Sequence, residues 1–327
     1  MTVSTQTLVA VPIDSFRRVT RDISFDVFLK LSEDNVVHVF SRATGLDYKR
    51  LANYIQKGVA FLYIRKEDEE AYKAFVSKSL DGIINNPDTT QEKKIAALLN
   101  MTEQNMSEIF AQANVREETV EDTQRLVGSY VDLMTKSPQS LAVILKLVAH
   151  GEYLYYHSVA VSIFTLFIAK ASGHFNRETL EVMGMGAFLH DIGQTQLPRE
   201  IFDTPAKLTP AEREQMNQHP KLGLEMLQGL PNIPEEVRYI IYQHHEEPKG
   251  TGYPNGLCGQ AIYYPARVVA LADTFSALVS KRPFRPAYSV EEAIAILREN
   301  KEKFDPDLVE LLAAVILRPA GSSQKAA

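Results

Sequence analysis

Seven residues of metal-ligand type recur from residue 157 to residue 273 of the 327-residue chain: His157, His190, Asp191, His219, His244, His245 and Asp273. Five of the eight histidines thus fall in short polar punctuations of a region that otherwise reads as helical. His190 and Asp191 form a doublet in FLHDIGQTQLP, His244 and His245 another in QHHEEPKGTGYP, and Asp273 interrupts the apolar run VVALADTFSAL. Imidazole and carboxylate together suit zinc, iron, manganese or nickel, and one carboxylate can give an oxygen to each of two ions. Five histidines and two aspartates exceed the needs of one ion, which points to two. Ions about 3.5–4 Å apart can clamp the attacking and leaving oxygens of an in-line displacement at phosphorus. A lone histidine beside an apolar run is ordinarily a satisfied core residue; the recurrence is what argues for a site.

Successive sites lie roughly 25–35 residues apart, the length of a helix and its turn or of two short helices. A bundle built in this way lets consecutive helices project ligands into a common core. From Gln91 onward the periodicity is helical, with no convincing strand before the C-terminus. The apolar stretch YLYYHSVAVSIFTLFIAK, Tyr153 to Lys170, is near the minimum for a membrane span, but His157, Ser158, Ser162 and Thr165 favour a buried bundle helix. Gln91 to Lys136 reads as two charged amphipathic helices, broken near QANVREE, that could connect domains or pair with a second copy in a homodimer. KSPQS then marks entry into the larger helical domain, and RPAGSSQKAA reads as a frayed tail.

The first third has a different pattern. DISFDVFLKL (Asp22–Leu31), VVHVF (Val36–Phe40) and VAFLYI are strand-like, while DYKRLANYIQKG and EDEEAYKAFVSKSL are helical, which predicts a small α+β module. His38 within it has no evident ligand partners. The breaker-rich DGIINNPDTTQ closes the module. The expected organisation is a small α+β domain over 1–85 with regulation as its candidate role, a helical linker over 86–136, and an all-α domain over 137–320.

A net charge of −6 argues against a nucleic-acid polymer as ligand, though a small anion needs only a local cluster of metal or positive charge. A single cysteine, Cys258, excludes an intrachain disulfide framework. Without a basic start and long apolar core at the N-terminus, the reading is a cytoplasmic protein with no membrane segment.

HDIG, the HP at His219–Pro220, HHE at His244–Glu246, GTGYP and ARVVALADTFSAL…RPF together resemble the HD-GYP family, a subgroup of the HD phosphohydrolases, from about Ser137 to Leu317. The resemblance implies an all-α HD-type bundle and hydrolysis of cyclic di-GMP to linear pGpG, in some members on to GMP. It implies two ions, iron first, with manganese, zinc or nickel as alternatives. His157, His190, Asp191 and Asp273 would hold one ion, and Asp191 would bridge to a second held by His219, His244 and His245. Where some members carry a glutamate for a third metal this chain has Tyr153, with Glu152 out of helical phase, so the expectation is binuclear. Gly250 and Gly252 are expected to adopt φ values closed to other residues, and Pro254 to fix the loop exit. Tyr253 would then contact a bound nucleotide, or pack as a structural turn, or serve a diguanylate cyclase domain docking on the loop. Arg282 and Arg285, in SKRPFRPAYS, match basic residues that contact ligand.

Three positions depart from the family pattern. Gln194 replaces the lysine of HDIGK, Lys249 stands where an acid is usual, and Ser276 occupies a carboxylate position three residues beyond Asp273. Asp191 and Gln194 are the catalytic candidates. Loss of a cation near developing charge can cost several kcal/mol in the transition state. Two readings follow: a phosphodiesterase with reduced turnover, or a receptor that binds cyclic di-GMP and signals through protein partners.

Overall fold

The computed structural model describes residues 8–16, 22–32, 35–86, 88–112, 115–136, 153–198, 200–203, 208–281 and 285–317. The chain divides into two compact units, Met1–Ala97 and Leu98–Ala327. In the first, strands β1 (Leu8–Pro12), β2 (Val27–Ser32), β3 (Asn35–Phe40) and β4 (Phe61–Arg65) form an antiparallel sheet in the order β1-β4-β2-β3. Helices α1 (Tyr48–Gln56) and α2 (Glu69–Asn85) complete it. Asp47 starts α1 by accepting the Lys49 and Arg50 N–H groups, satisfying two donors that the first turn leaves free. Phe16, Phe25, Tyr72 and Phe75 interlock with ring centroids 5.4–6.4 Å apart, which gives this small unit an aromatic core.

Two details differ from the sequence reading. Strand β1 was not expected: LVAVP is short and ends in Pro12, which only an edge strand tolerates, and its position is decided by pairing with β4. The strand expected from Asp22 starts at Val27, because the chain bends before it to bury Phe25. His38 lies on β3, its Nε2 3.4 Å from Asp26 and its ring against Phe28.

The second unit is helical. α3 (Gln91–Gln112), which starts within the first unit and continues into the second, and α4 (Glu117–Lys136) pack antiparallel, tied by Thr102–Tyr130 at 3.0 Å and Thr123–Asn105 at 3.3 Å. The helices that follow are α5 (Tyr153–Ser172), α6 (Arg177–Leu189), the short α7 (Glu200–Asp203), α8 (Pro210–Met216), α9 (His219–Met226), α10 (Glu235–Gln243), α11 (Tyr264–Val279), α12 (Val290–Glu299) and α13 (Pro306–Ile316). Residues Val159 to Ala169 of α5 are buried all round, as expected of a central helix packed by α6, α11 and α13. α6 meets α4 and α10 as well, and α10 meets α9 and α11. Gly186 permits the α6–α10 approach, since a Cβ there would lie 2.7 Å from Ile240. Among the described residues no helix is long and apolar enough to cross a membrane.

Candidate metal centre

The ends of α6 and α10, the start of α9 and the interiors of α5 and α11 meet at one point, and the seven residues singled out by type sit there. His157 belongs to the body of α5 rather than to a polar punctuation between helices, because the surrounding helices bury that whole face. His190 ends α6, and Asp191 opens a tight 3-10 turn, Ile192–Gln196, that packs against α9. Gly193 makes that contact possible, since a Cβ there would lie 2.0 Å from the His219 carbonyl and 2.4 Å from the Gly223 nitrogen. The donor atoms fall into two groups, Asp191 with His219, His244 and His245, and His157 with His190 and Asp273, each within 4.8 Å.

Asp191 lies between the groups. Its Oδ2 is 3.2 Å from His190 Nε2, and its Oδ1 is 3.2 Å from His219 Nε2 and 3.8 Å from His244 Nε2. His157 Nε2 lies 3.0 Å from Asp273 Oδ1. His190, His219 and His244 each direct Nδ1 at the carbonyl three residues earlier, Ala187, Met216 and Ile241, at 2.7 Å. A carbonyl can only accept, so each Nδ1 carries a proton and each ring turns its Nε2 to the interior, as a lone pair whenever the ring is neutral. His219 Nε2 and His244 Nε2 consequently face each other 3.2 Å apart, and His190 Nε2 and Asp191 Oδ1 are buried without a hydrogen-bond partner among the described residues. Converging lone pairs and carboxylate oxygens repel unless a cation lies among them, so this donor set fits transition-metal ions.

The electrostatics agree. Burial pushes His219 down to about 4 and His245 well below its usual range, with neighbouring imidazoles acting in the same direction. Burial also opposes the charge on His190, but Asp191 and, beyond it, Asp273 outweigh it and raise that ring to about 9. Against their own burial, Asp191 is held well below the carboxylate range chiefly by His190, and Asp273 chiefly by its bond with His157. The site stays anionic and collects positive charge, as a proton on His190 or as metal.

The loop after His245 is anchored by a residue to which sequence reasoning assigned no role. Glu246 is buried, and its two oxygens accept the Asn255 and Leu257 N–H groups at 2.7 and 2.8 Å. Tyr253 N–H donates to the His245 carbonyl at 3.1 Å, and the Tyr253 ring stacks on His245 with centroids 4.7 Å apart. Burial, then the charges of Asp191 and Asp273, push the Tyr253 phenol above its ordinary range, so it is a neutral O–H. Gly250 has φ +76°, as expected. Gly252 does not have a positive φ; a Cβ there would meet the Glu247 nitrogen at 2.3 Å and the His245 carbonyl at 2.4 Å, so it is required for space. The motif letter E after HH was the available signal for Glu246.

The remaining expected residues are distributed around this centre. Ser276 is buried with Oγ 3.1 Å from His157 Nδ1, steadying that ring. Gln194 is half-buried on the turn that Asp191 begins. Lys249 pairs with Glu302. Arg285 spends three N–H donors on the Leu278, Pro286 and Ala277 carbonyls and lies over the Tyr288 ring, which caps the end of α11. Arg282 and Glu152 lie outside the described residues, as do residues 137–140 of the KSPQS entry. A cleft of about 250 Å³ opens beside His244, His245 and Asp273, walled by Glu247, Asn300, Lys303 and Phe304 among others.

The arrangement sets an HD doublet between two groups of imidazoles in a helical bundle. Residues 152–308 match the HD domain family. Over 139 residues it is 40% identical to the cyclic di-GMP phosphodiesterase response regulator RpfG of Xanthomonas campestris, covering 42% of this chain and 37% of RpfG. Over 198 residues it is 32% identical to the cyclic di-GMP phosphodiesterase PA4108 of Pseudomonas aeruginosa, covering 60% and 48%. It is 34% identical over 155 residues to the 3'3'-cGAMP-specific phosphodiesterase 1 of Vibrio cholerae, covering 46% and 35%. The chain spans less than half the length of these curated relatives. Bd1817, an HDG"Y"P protein from Bdellovibrio bacteriovorus, shares the fold at a TM-score of 0.68 and 20% identity, over 95% of this chain and 100% of that one. These matches bear out the HD-GYP resemblance read from the motifs.

Proposed function

We propose that this protein is a metal-dependent phosphodiesterase that hydrolyses cyclic di-GMP to linear pGpG, and in further turnover to GMP, at a binuclear centre. The observation that carries the reading is the set of imidazole Nε2 atoms turned inward on both sides of Asp191, each ring held by a carbonyl at Nδ1. His157, His190 and Asp273 would hold one ion, His219, His244 and His245 the other, and Asp191 would give an oxygen to each. Bound there, transition-metal ions supply Lewis acidity toward a phosphoryl oxygen. The chain's own contribution is orientation: backbone carbonyls and Ser276 fix the rings, and Glu246 holds the loop that places Tyr253 over His245. As a neutral phenol, Tyr253 can donate to a ligand oxygen or stack on a base. The names of the relatives support a cyclic dinucleotide as substrate.

A second reading, a receptor that binds the dinucleotide without turnover, is favoured by Gln194, which brings no positive charge beside Asp191. One experiment separates them. Protein loaded with iron or manganese is incubated with cyclic di-GMP and the products resolved by chromatography. Linear pGpG from wild type, with none from Asp191→Asn, supports the enzyme; tight binding with no product supports the receptor. Gain of turnover by Gln194→Lys would show that this position limits the rate.

A further inference from the structure

The cleft beside the candidate centre has an unbalanced charge. Glu246, Glu247 and Asp273 line it together with the two imidazoles of His244 and His245, and among its described lining residues Lys303 alone carries a permanent positive charge. Lys303 is carried by the turn between α12 and α13, and that turn is fixed. Its N–H donates to the Asn300 carbonyl at 3.0 Å, Phe304 beside it is buried, and the next residue, Asp305, caps α13 and accepts from Arg267 at 3.1 Å. The ammonium lies 3.0 Å from Glu247 Oε1, and Glu247 is itself held by the Thr251 hydroxyl of the loop. An ammonium has three N–H donors, so one bond to Glu247 leaves others for a ligand. More than half of the Lys303 side chain is exposed, which leaves its tip reachable from the cleft.

We infer that Lys303 is a substrate-binding residue, whose ammonium, oriented by Glu247, grips a phosphate oxygen of the bound dinucleotide at the wall of the cleft. This rests on the function proposed above, because it takes a phosphodiester as the occupant. A cyclic dinucleotide carries two anionic phosphates, and one of them held at the metal-type donors leaves the other needing a cation elsewhere. Lys303 meets that need on the α12–α13 side, which the HD and HH doublets do not indicate.

The test compares wild type, Lys303→Met, Lys303→Arg and the exposed neighbour variant Lys301→Ala, each loaded with manganese and checked for equal metal content. KM for cyclic di-GMP and equilibrium binding of the same dinucleotide are measured. Methionine keeps the stem and removes the charge, so KM and Kd rise about ten-fold while kcat stays within about three-fold. Arginine restores most of the affinity, and Lys301→Ala matches wild type. Salt weakens binding to wild type more steeply than to Lys303→Met, because a charge contact is screened. A wild type that binds or turns over the dinucleotide beside a Lys303→Met variant of equal KM and Kd overturns this inference alone. A wild type that neither binds nor turns it over overturns it together with the function on which it rests.

Discussion

Glu246→Gln removes one of the two acceptors that pin the Tyr253 loop and changes almost nothing in volume. In the native site both carboxylate oxygens accept, from Asn255 N–H at 2.7 Å and Leu257 N–H at 2.8 Å, in a side chain only 2% exposed. An amide offers one acceptor; its NH2 group must face the other backbone N–H. Each charge-assisted bond is worth about 1.5–3 kcal/mol, and an unsatisfied buried donor costs a comparable amount. The ceiling is set by the loop: once detaching it costs less than keeping the mismatch, the loop opens and further loss stops. We expect about 2 kcal/mol, seen as a Tm lower by roughly 4–8 °C for a unit of this size. Hydrogen exchange should show Asn255 and Leu257 losing protection while the amides of α10 keep theirs, and turnover should fall because the Tyr253 ring no longer lies over His245. The assay pairs thermal denaturation with amide exchange. A variant whose Tm lies within about 1 °C of wild type, with both amides still protected, would refute the idea that Glu246 holds this loop.

Three further outcomes follow from the geometry. Gly193→Ala places a methyl 2.0 Å from the His219 carbonyl, and because that obstacle is backbone α9 must shift; a loss of about 3 kcal/mol or more and a lower metal stoichiometry by elemental analysis are expected. Ser276→Ala frees the His157 ring from its Nδ1 partner, which should weaken metal affinity by about ten-fold in a chelator competition with little change in Tm. Burial works against the charge of Asp26, but the Arg42 N–H and the charges of Arg42, His38 and Arg65 win and lower its pKa below 3.8 in the fold. Its contribution is therefore present above the unfolded pKa and lost as pH falls through the folded value. Asp26→Asn should cost about 1 kcal/mol in urea denaturation at pH 7 and progressively less below about pH 4.

How much could be read in advance differs from residue to residue. His190, Asp191, His244 and His245 announce themselves as doublets in polar breaks between apolar runs, and Asp273 as a carboxylate inside one. Their chemistry belongs to residue type, so it is visible without a fold. Strand β1 was not legible, since five residues ending in proline carry little periodicity and only β4 gives them a partner. The role expected of Gly252 was drawn from a general property of glycine, whereas the need for space there comes from the backbone of residues 245–247 folding against it.

The order of the candidate ligands along the chain, their spacing by helix lengths and the class of ion they suit were set by amino-acid identity alone. Tertiary structure decided which lone pair each imidazole presents, because that depends on the carbonyl each Nδ1 meets. It also decided that Arg285 turns to the α11 carbonyls and that Lys303, some sixty residues from the HH doublet, shares its cleft. Linear sequence encodes what a side chain can do; proximity across helices, which no spacing rule contains, settles what it has within reach.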